Sequence, residues 1–106
     1  MTLTTTPSIE GHRIVQYCPI VSAEVVFGTN VFRDIAASFR DFFGGRTQSY
    51  ESVLREARET VLNEMAQKAI AVGANAVVGV KFDYETVGQS GSMLMVVATG
   101  TSVVVE

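Results

Sequence analysis

Two sets of side chains in this sequence carry donor atoms suited to metal chemistry. His12 and Cys18 offer an imidazole and a thiol to a soft or borderline ion, which ordinarily takes three or four such ligands converging on one point. The chain contains one histidine and one cysteine in all. Their even spacing would place both on one face of a continuous strand, but about 20 Å apart at 3.3 Å per residue. One chain cannot chelate an ion with this pair unless it bends sharply, whereas copies of Cys18 ringed about a symmetry axis could. Without such a ring Cys18 reads as a small packed residue near a strand end, and His12, beside Arg13, as a surface residue. Asp83 and Glu85 share a strand face with Lys81 and could hold a hard cation through oxygen if subunits converge there. A solvated or ion-paired face is the alternative.

Three further patterns invite a chemical reading. Gly44-Gly45-Arg46-Thr47, ahead of a helix, resembles an anion cradle in outline. It lacks the Lys-Ser/Thr of a nucleotide loop and is too short to wrap one, so a connecting turn is the simpler use. Arg33, Asp34, Arg46, Tyr50, Glu51 and Arg58 could form one polar network, structural or facing a ligand. Catalysis needs a nucleophile and a base in register, and the chain has neither a Gly-x-Ser-x-Gly elbow nor an acid partner for its histidine. The expectation is therefore no enzyme and no evident cofactor, with a metal ion of unspecified identity as the candidate ligand.

The element that must position these groups is a long amphipathic helix capped by Ser49. Tyr50, Val53, Leu54, Ala57, Val61, Met65, Ala69 and Val72 fall on one face. Glu51/Arg55 and Glu64/Lys68 lie at i,i+4 on the other, with the acid first. Gly73 ends the helix by taking the left-handed position after the cap. The period then changes to two: Val78, Val80, Phe82 and Tyr84 alternate with Val77, Gly79, Lys81, Asp83 and Glu85. Gly88-Gln89-Ser90-Gly91 reads as a hairpin loop into Ser92 to Thr99, where Leu94, Val96 and Ala98 oppose Met93, Met95 and Val97. Both faces of that strand are apolar, so one packs on the helix and the other needs a second layer from elsewhere. Val103 to Val105, after Gly100, reads as a separate strand whose bare edge would pair with another subunit.

Upstream, residues 1 to 8 form a polar tail or edge segment. Ile14 to Cys18 and Ile20 to Phe27 read as two strands, with Cys18-Pro19 marking a strand end or a sheet edge. Asn30 caps a short helix to about Phe43, with Phe32, Ile35, Ala36, Phe39 and Phe43 as its apolar stripe.

The whole chain, 106 residues, is one domain by size. Charged residues make up 18% and mean hydropathy is +0.27, few charges for a lone small domain, so part of the apolar surface should be closed by other copies of the chain. A net charge of −3 with scattered lysines and arginines argues against nucleic acid and anionic membrane as partners. With no leader-like region near Met1 to Gly11, no apolar run long enough to span and a single cysteine, the expected compartment is the cytoplasm.

Gly28-Thr29-Asn30-Val31-Phe32-Arg33-Asp34, Gly44-Gly45-Arg46, Tyr50, the run from Gly73 to Val80, and Asp83-Tyr84-Glu85 before a Gly-rich hairpin and Met93 together resemble the YbjQ-like family over residues 2 to 103. The resemblance implies an α+β fold: a long helix packed on a small antiparallel sheet, as in dodecin-like subunits, with one extra short helix and a C-terminal strand used in oligomerisation. It also implies a homopentamer and a heavy-metal-binding label. Residues and resemblance together point to a non-enzymatic cytoplasmic homo-oligomer binding a metal ion or small ligand at subunit boundaries. A purely structural assembly protein is the alternative, and an enzyme with an intersubunit site at Tyr50, Arg46, Asp83 or Glu85 a further one.

Overall fold

The computed structural model describes residues 1–28, 46–88 and 93–106. Its elements run β1 (Thr2–Leu3), β2 (Ile14–Phe27), α1 (Arg46–Ala71), β3 (Ala76–Val87) and β4 (Met93–Val105). The strands form one sheet in the order β1-β3-β4-β2, antiparallel except where β1 runs parallel to β3, so the sheet is mixed. The expected short helix to Phe43 and the hairpin loop at residues 89–92 lie outside the described residues.

Helix α1 covers one face of the sheet. Val53, Ala57, Val61, Met65 and Ala69 are each fully buried, a stripe spaced by four that follows one ridge of the helix. Two alanines in that ridge let the helix sit close to the strands. Val21, Ala23, Val77, Val80 and Ala98 meet it from the sheet, with Cys18, Val25, Leu62 and Phe82 packed around them. The helix begins at Arg46, so Ser49 lies inside it rather than capping it. Val72 falls beyond its end and is exposed. Neither expected i,i+4 ion pair forms within 4.0 Å; Lys68 instead reaches the sheet, donating from Nζ to the Ser22 carbonyl at 2.7 Å.

The exit from α1 follows the expectation for Gly73. Its φ is +85°, its amide donates to the Ile70 carbonyl at 3.0 Å, and the Ala74 amide donates to the Ala69 carbonyl at 3.0 Å, closing a Schellman motif. Asn75 then ties this turn to β4: its Nδ2 donates to the Val105 carbonyl at 2.9 Å and its Oδ1 accepts from the Val105 amide at 2.8 Å. An added Cβ at Gly73 meets no atom within 4 Å, so Gly73→Ala isolates the backbone cost of a left-handed residue. Thermal unfolding should show a loss of about 1 kcal/mol; an unchanged melting temperature would mean that the turn relaxes out of the left-handed region.

Three expectations about the strands are corrected. Val103 to Val105 are not a separate edge strand but the end of β4, an interior strand hydrogen-bonded to β2 on one side and β3 on the other. Their backbone groups are already used, which removes them as the strand that joins subunits. The two strands expected around Pro19 are one, β2, with a register shift between Tyr17 and Ile20. Proline is tolerated there because β2 is an edge strand and the irregularity needs no amide at that position. The fully buried Ser102 lies opposite Cys18 and Pro19 and donates its hydroxyl to the Pro19 carbonyl.

The third correction concerns β3. A bulge between Val78 and Lys81 places Gly79 and Val80 opposite Gly100 alone, with Gly79 at φ +64°. The extra residue reverses the alternation. Val77 therefore faces the helix together with Val80 and Phe82, while Val78 turns to the outer face with Ala76 and Val103. The amides of the bulge do not go unpaired: Gly79 donates to the Thr6 carbonyl at 2.9 Å and Val80 to the Thr4 carbonyl at 3.0 Å. Residues 1 to 8, the expected edge segment, thus extend the sheet edge along the bulge.

Candidate functional site

The outer face of the sheet, away from α1, divides into two ends. At one, Ala76, Val78 and Val103 are buried beneath the chain's own Ile9, Ile14 and Val105. Here Arg13 and Glu106 also exchange backbone hydrogen bonds of 3.2 and 3.0 Å and pair their side chains at 3.6 Å. At the other end β4 presents Met93, Met95 and Val97, each half-buried. The register sets Val97 between Glu24 and Asp83, Met95 between Val26 and Glu85, and Met93 beside Val87. Val26 is 49% exposed, and Tyr17 and Ile20, farther along β2, are 72% and 76% exposed. Among the described residues the sheet is covered by a helix on one side, and on the other it carries a run of apolar side chains flanked by carboxylates.

Asp83, Glu85 and Lys81 share this face as the period-two pattern requires, because all three lie beyond the bulge. Lys81 Nζ and Asp83 Oδ1 stand 3.8 Å apart, an exposed contact that contributes little on its own. Cys18 is not with them. It packs against the inner core, on the side of Val21 and Met65, so Cys18, Asp83 and Glu85 do not form one ligand set within a chain. His12 is exposed in a turn, its amide donating to the Ile9 carbonyl at 3.0 Å, and is not part of β2 at all. The described residues bring no three of His, Cys, Asp and Glu together at metal-binding distance. A thiolate and imidazole site of the zinc type therefore does not fit the described residues of a single chain.

Of the expected polar network, Glu51 and Arg58 are the members whose side chains are described. Arg58 Nη1 donates to Tyr84 Oη at 3.4 Å, and Tyr84 stacks on Phe82 with ring centroids 6.4 Å apart. Glu51 is exposed and takes part in no ion pair with a described residue. Arg46 and Tyr50 lie in the first turns of α1, while Arg33 and Asp34 lie outside the described residues. Sequence reasoning did not anticipate the Arg58–Tyr84 contact, since the spacing of 26 residues follows from how α1 lies over β3 rather than from any local pattern.

Two of the recesses are lined wholly by described residues. One, open and about 530 Å³, is lined by the hydroxyls of Thr2, Thr4, Thr6 and Ser8 with Ile9 and Glu10. The other, about 160 Å³, lies between Leu3, Thr4, Thr5, Leu62, Val80 and Phe82. Neither contains Asp83 or Glu85. No helix among the described residues is long and apolar enough to cross a membrane.

A family model described as "Putative heavy-metal-binding" matches residues 1–106. The chain belongs to the YbjQ family. A UPF0145 protein from Clostridium kluyveri is 55% identical over 106 residues, spanning all of both chains. The fold also resembles the crystal structure of a protein of unknown function in the DUF74 family from Pediococcus pentosaceus. That likeness has a TM-score of 0.59 at 16% identity and covers 100% of this chain and 98% of that one. It concerns the fold alone. In this YbjQ family chain the inner face of the sheet is covered by α1, and among the described residues the outer face is the one left open.

Proposed function

We propose that this chain is a non-enzymatic subunit of a homo-oligomer that binds a metal ion where subunits meet on the outer face of the sheet. The observation that carries the reading is the half-buried row Met93, Met95 and Val97, which no described element covers, continued by the exposed Val26 and Ile20. Apolar area of this kind on a small domain is ordinarily closed by a partner, and a second copy supplies the same surface. The family description supports the metal, and Asp83 and Glu85 at the margin of the row supply acceptor oxygens. The resemblance to pentameric family members sets the expected number at five.

Sedimentation velocity at micromolar concentration tests the assembly, with an expected mass near five times the 11.4 kDa of one chain. Val26→Asp is the matching variant. At a position 49% exposed it should change the stability of the isolated fold by no more than about 0.5 kcal/mol. An unpaired carboxylate buried between subunits would be far more costly, so the variant should sediment as a folded monomer. A wild-type monomer at that concentration would sink the reading. Equilibrium dialysis against Zn²⁺, Ni²⁺ and Cu⁺ addresses the metal, and uptake of none of them leaves the purely structural assembly as the better account.

A further inference from the structure

We propose that Met93 and Met95 form a thioether site for a soft monovalent cation of the Cu⁺ or Ag⁺ class. The proposal rests on the metal-binding reading above and narrows it to one class of ion and one pair of donors. Both residues lie in β4 two positions apart, so strand alternation puts their side chains on the same face while Leu94 between them faces the other way. Their Cα atoms are then about 6.8 Å apart, a span that two unbranched side chains with three rotatable bonds each can close over a single ion. Both are half-buried, neither locked into the core like the fully buried Met65 nor free in solvent.

The surroundings select the ion. Thioethers are neutral, soft donors that discriminate for d¹⁰ monovalent ions and against hard cations. The only cysteine, Cys18, packs on the opposite side of the sheet, so these two thioethers are the sulfurs that the described outer face presents at this end. Glu85 stands beside Met95, and Glu24 and Asp83 flank Val97 in the next row. These carboxylates favour a cation electrostatically without having to ligate it. A thioether pair needs no histidine, thiolate or carboxylate ligand, which is compatible with described residues that bring no three of His, Cys, Asp and Glu together.

The test is competition for Cu⁺ against a chromophoric chelator, under ascorbate and without oxygen, using the full chain and three variants. Wild type and Cys18→Ala should each withdraw one Cu⁺ per chain. Met93→Leu/Met95→Leu, which keeps volume and apolar character, should lose at least tenfold in affinity while its melting temperature and sedimentation stay those of wild type. In protein labelled with ¹³C at the methionine methyls, Ag⁺ should shift the signals of Met93 and Met95 and leave that of Met65 in place. Loss of Cu⁺ in Cys18→Ala with retention in the double leucine variant would overturn the site. Uptake of Zn²⁺ or Ni²⁺ without Cu⁺ or Ag⁺ would overturn the site but leave the metal-binding reading standing, and uptake of no metal would remove both.

Discussion

Met65→Ala is expected to lower the unfolding free energy by about 2–5 kcal/mol, toward the upper part of that range. Met65 is fully buried at the centre of the α1 stripe, over Val21, Val77, Val80 and Ala98. Its terminal methyl approaches to 3.2 Å of the point where a side chain on Gly100 would begin, so it fills the hollow that the glycine leaves in β4. The neighbours on the helix ridge, Val61 and Ala69, are short, and the strands below are held by their own ladders. The cavity therefore cannot collapse, and the loss of packing adds to the loss of transfer free energy. For a domain of this size the melting temperature should fall by roughly 10 °C or more, measured at one fixed protein concentration because association contributes to apparent stability. Ile70→Ala is the control: at 61% exposed, five residues along the chain, it should change little. Equal losses for the two variants would show that the α1 stripe is not the seat of the core.

What could be read in the sequence was whatever depends on neighbours along the chain. The helix exit is local: Gly73 has to be left-handed for the chain to turn, and the structure places it at φ +85°. Asp83, Glu85 and Lys81 share a face because the period-two pattern is uninterrupted from Lys81 onward. The edge character of Pro19 follows from its missing amide. Each failure has a non-local cause. Val77 and Val78 exchange faces because Gly79 and Val80 bulge against a single residue of another strand, and that pairing leaves no mark in the spacing. Cys18 turns inward because β2 shifts register opposite Ser102, a residue 84 positions away. Val103 to Val105 read as an independent edge because Gly100 looks like a break, whereas the glycine is interior to β4.

Two of the sheet's three register shifts lie against the same short piece of β4. The β3 bulge opposes Gly100, and the β2 irregularity opposes Ser102, whose buried hydroxyl holds the Pro19 carbonyl. A bulge increases local twist. Val77 Cγ1 lies 2.7 Å from the point where a Cβ on residue 100 would begin, beneath the end of Met65, which fixes glycine there by close approach, whatever its backbone angles.

Gly100→Ala should accordingly cost about 1–3 kcal/mol even though it adds one methyl group. The new Cβ would lie 2.7 Å from Val77 Cγ1, 3.2 Å from Met65 Cε and 3.3 Å from the Val78 carbonyl oxygen. Met65 has a flexible end and can move by a few tenths of an ångström. Val77 cannot, because its branched side chain has few rotamers in a strand and is fully buried, and the carbonyl belongs to the backbone at the bulge. The steric origin can be separated from a general dislike of substitution by a double-mutant cycle with Val77→Ala, which removes the offending methyl. Val77→Ala alone opens a cavity and should destabilise; in the Gly100→Ala background it should destabilise less, or even restore stability, giving a coupling of about 0.5–3 kcal/mol. Guanidinium unfolding of the four proteins at equal concentration measures it. Strict additivity would mean that residue 100 tolerates a side chain by some route other than displacing Val77, and that the glycine is not what lets β4 pass beneath the helix.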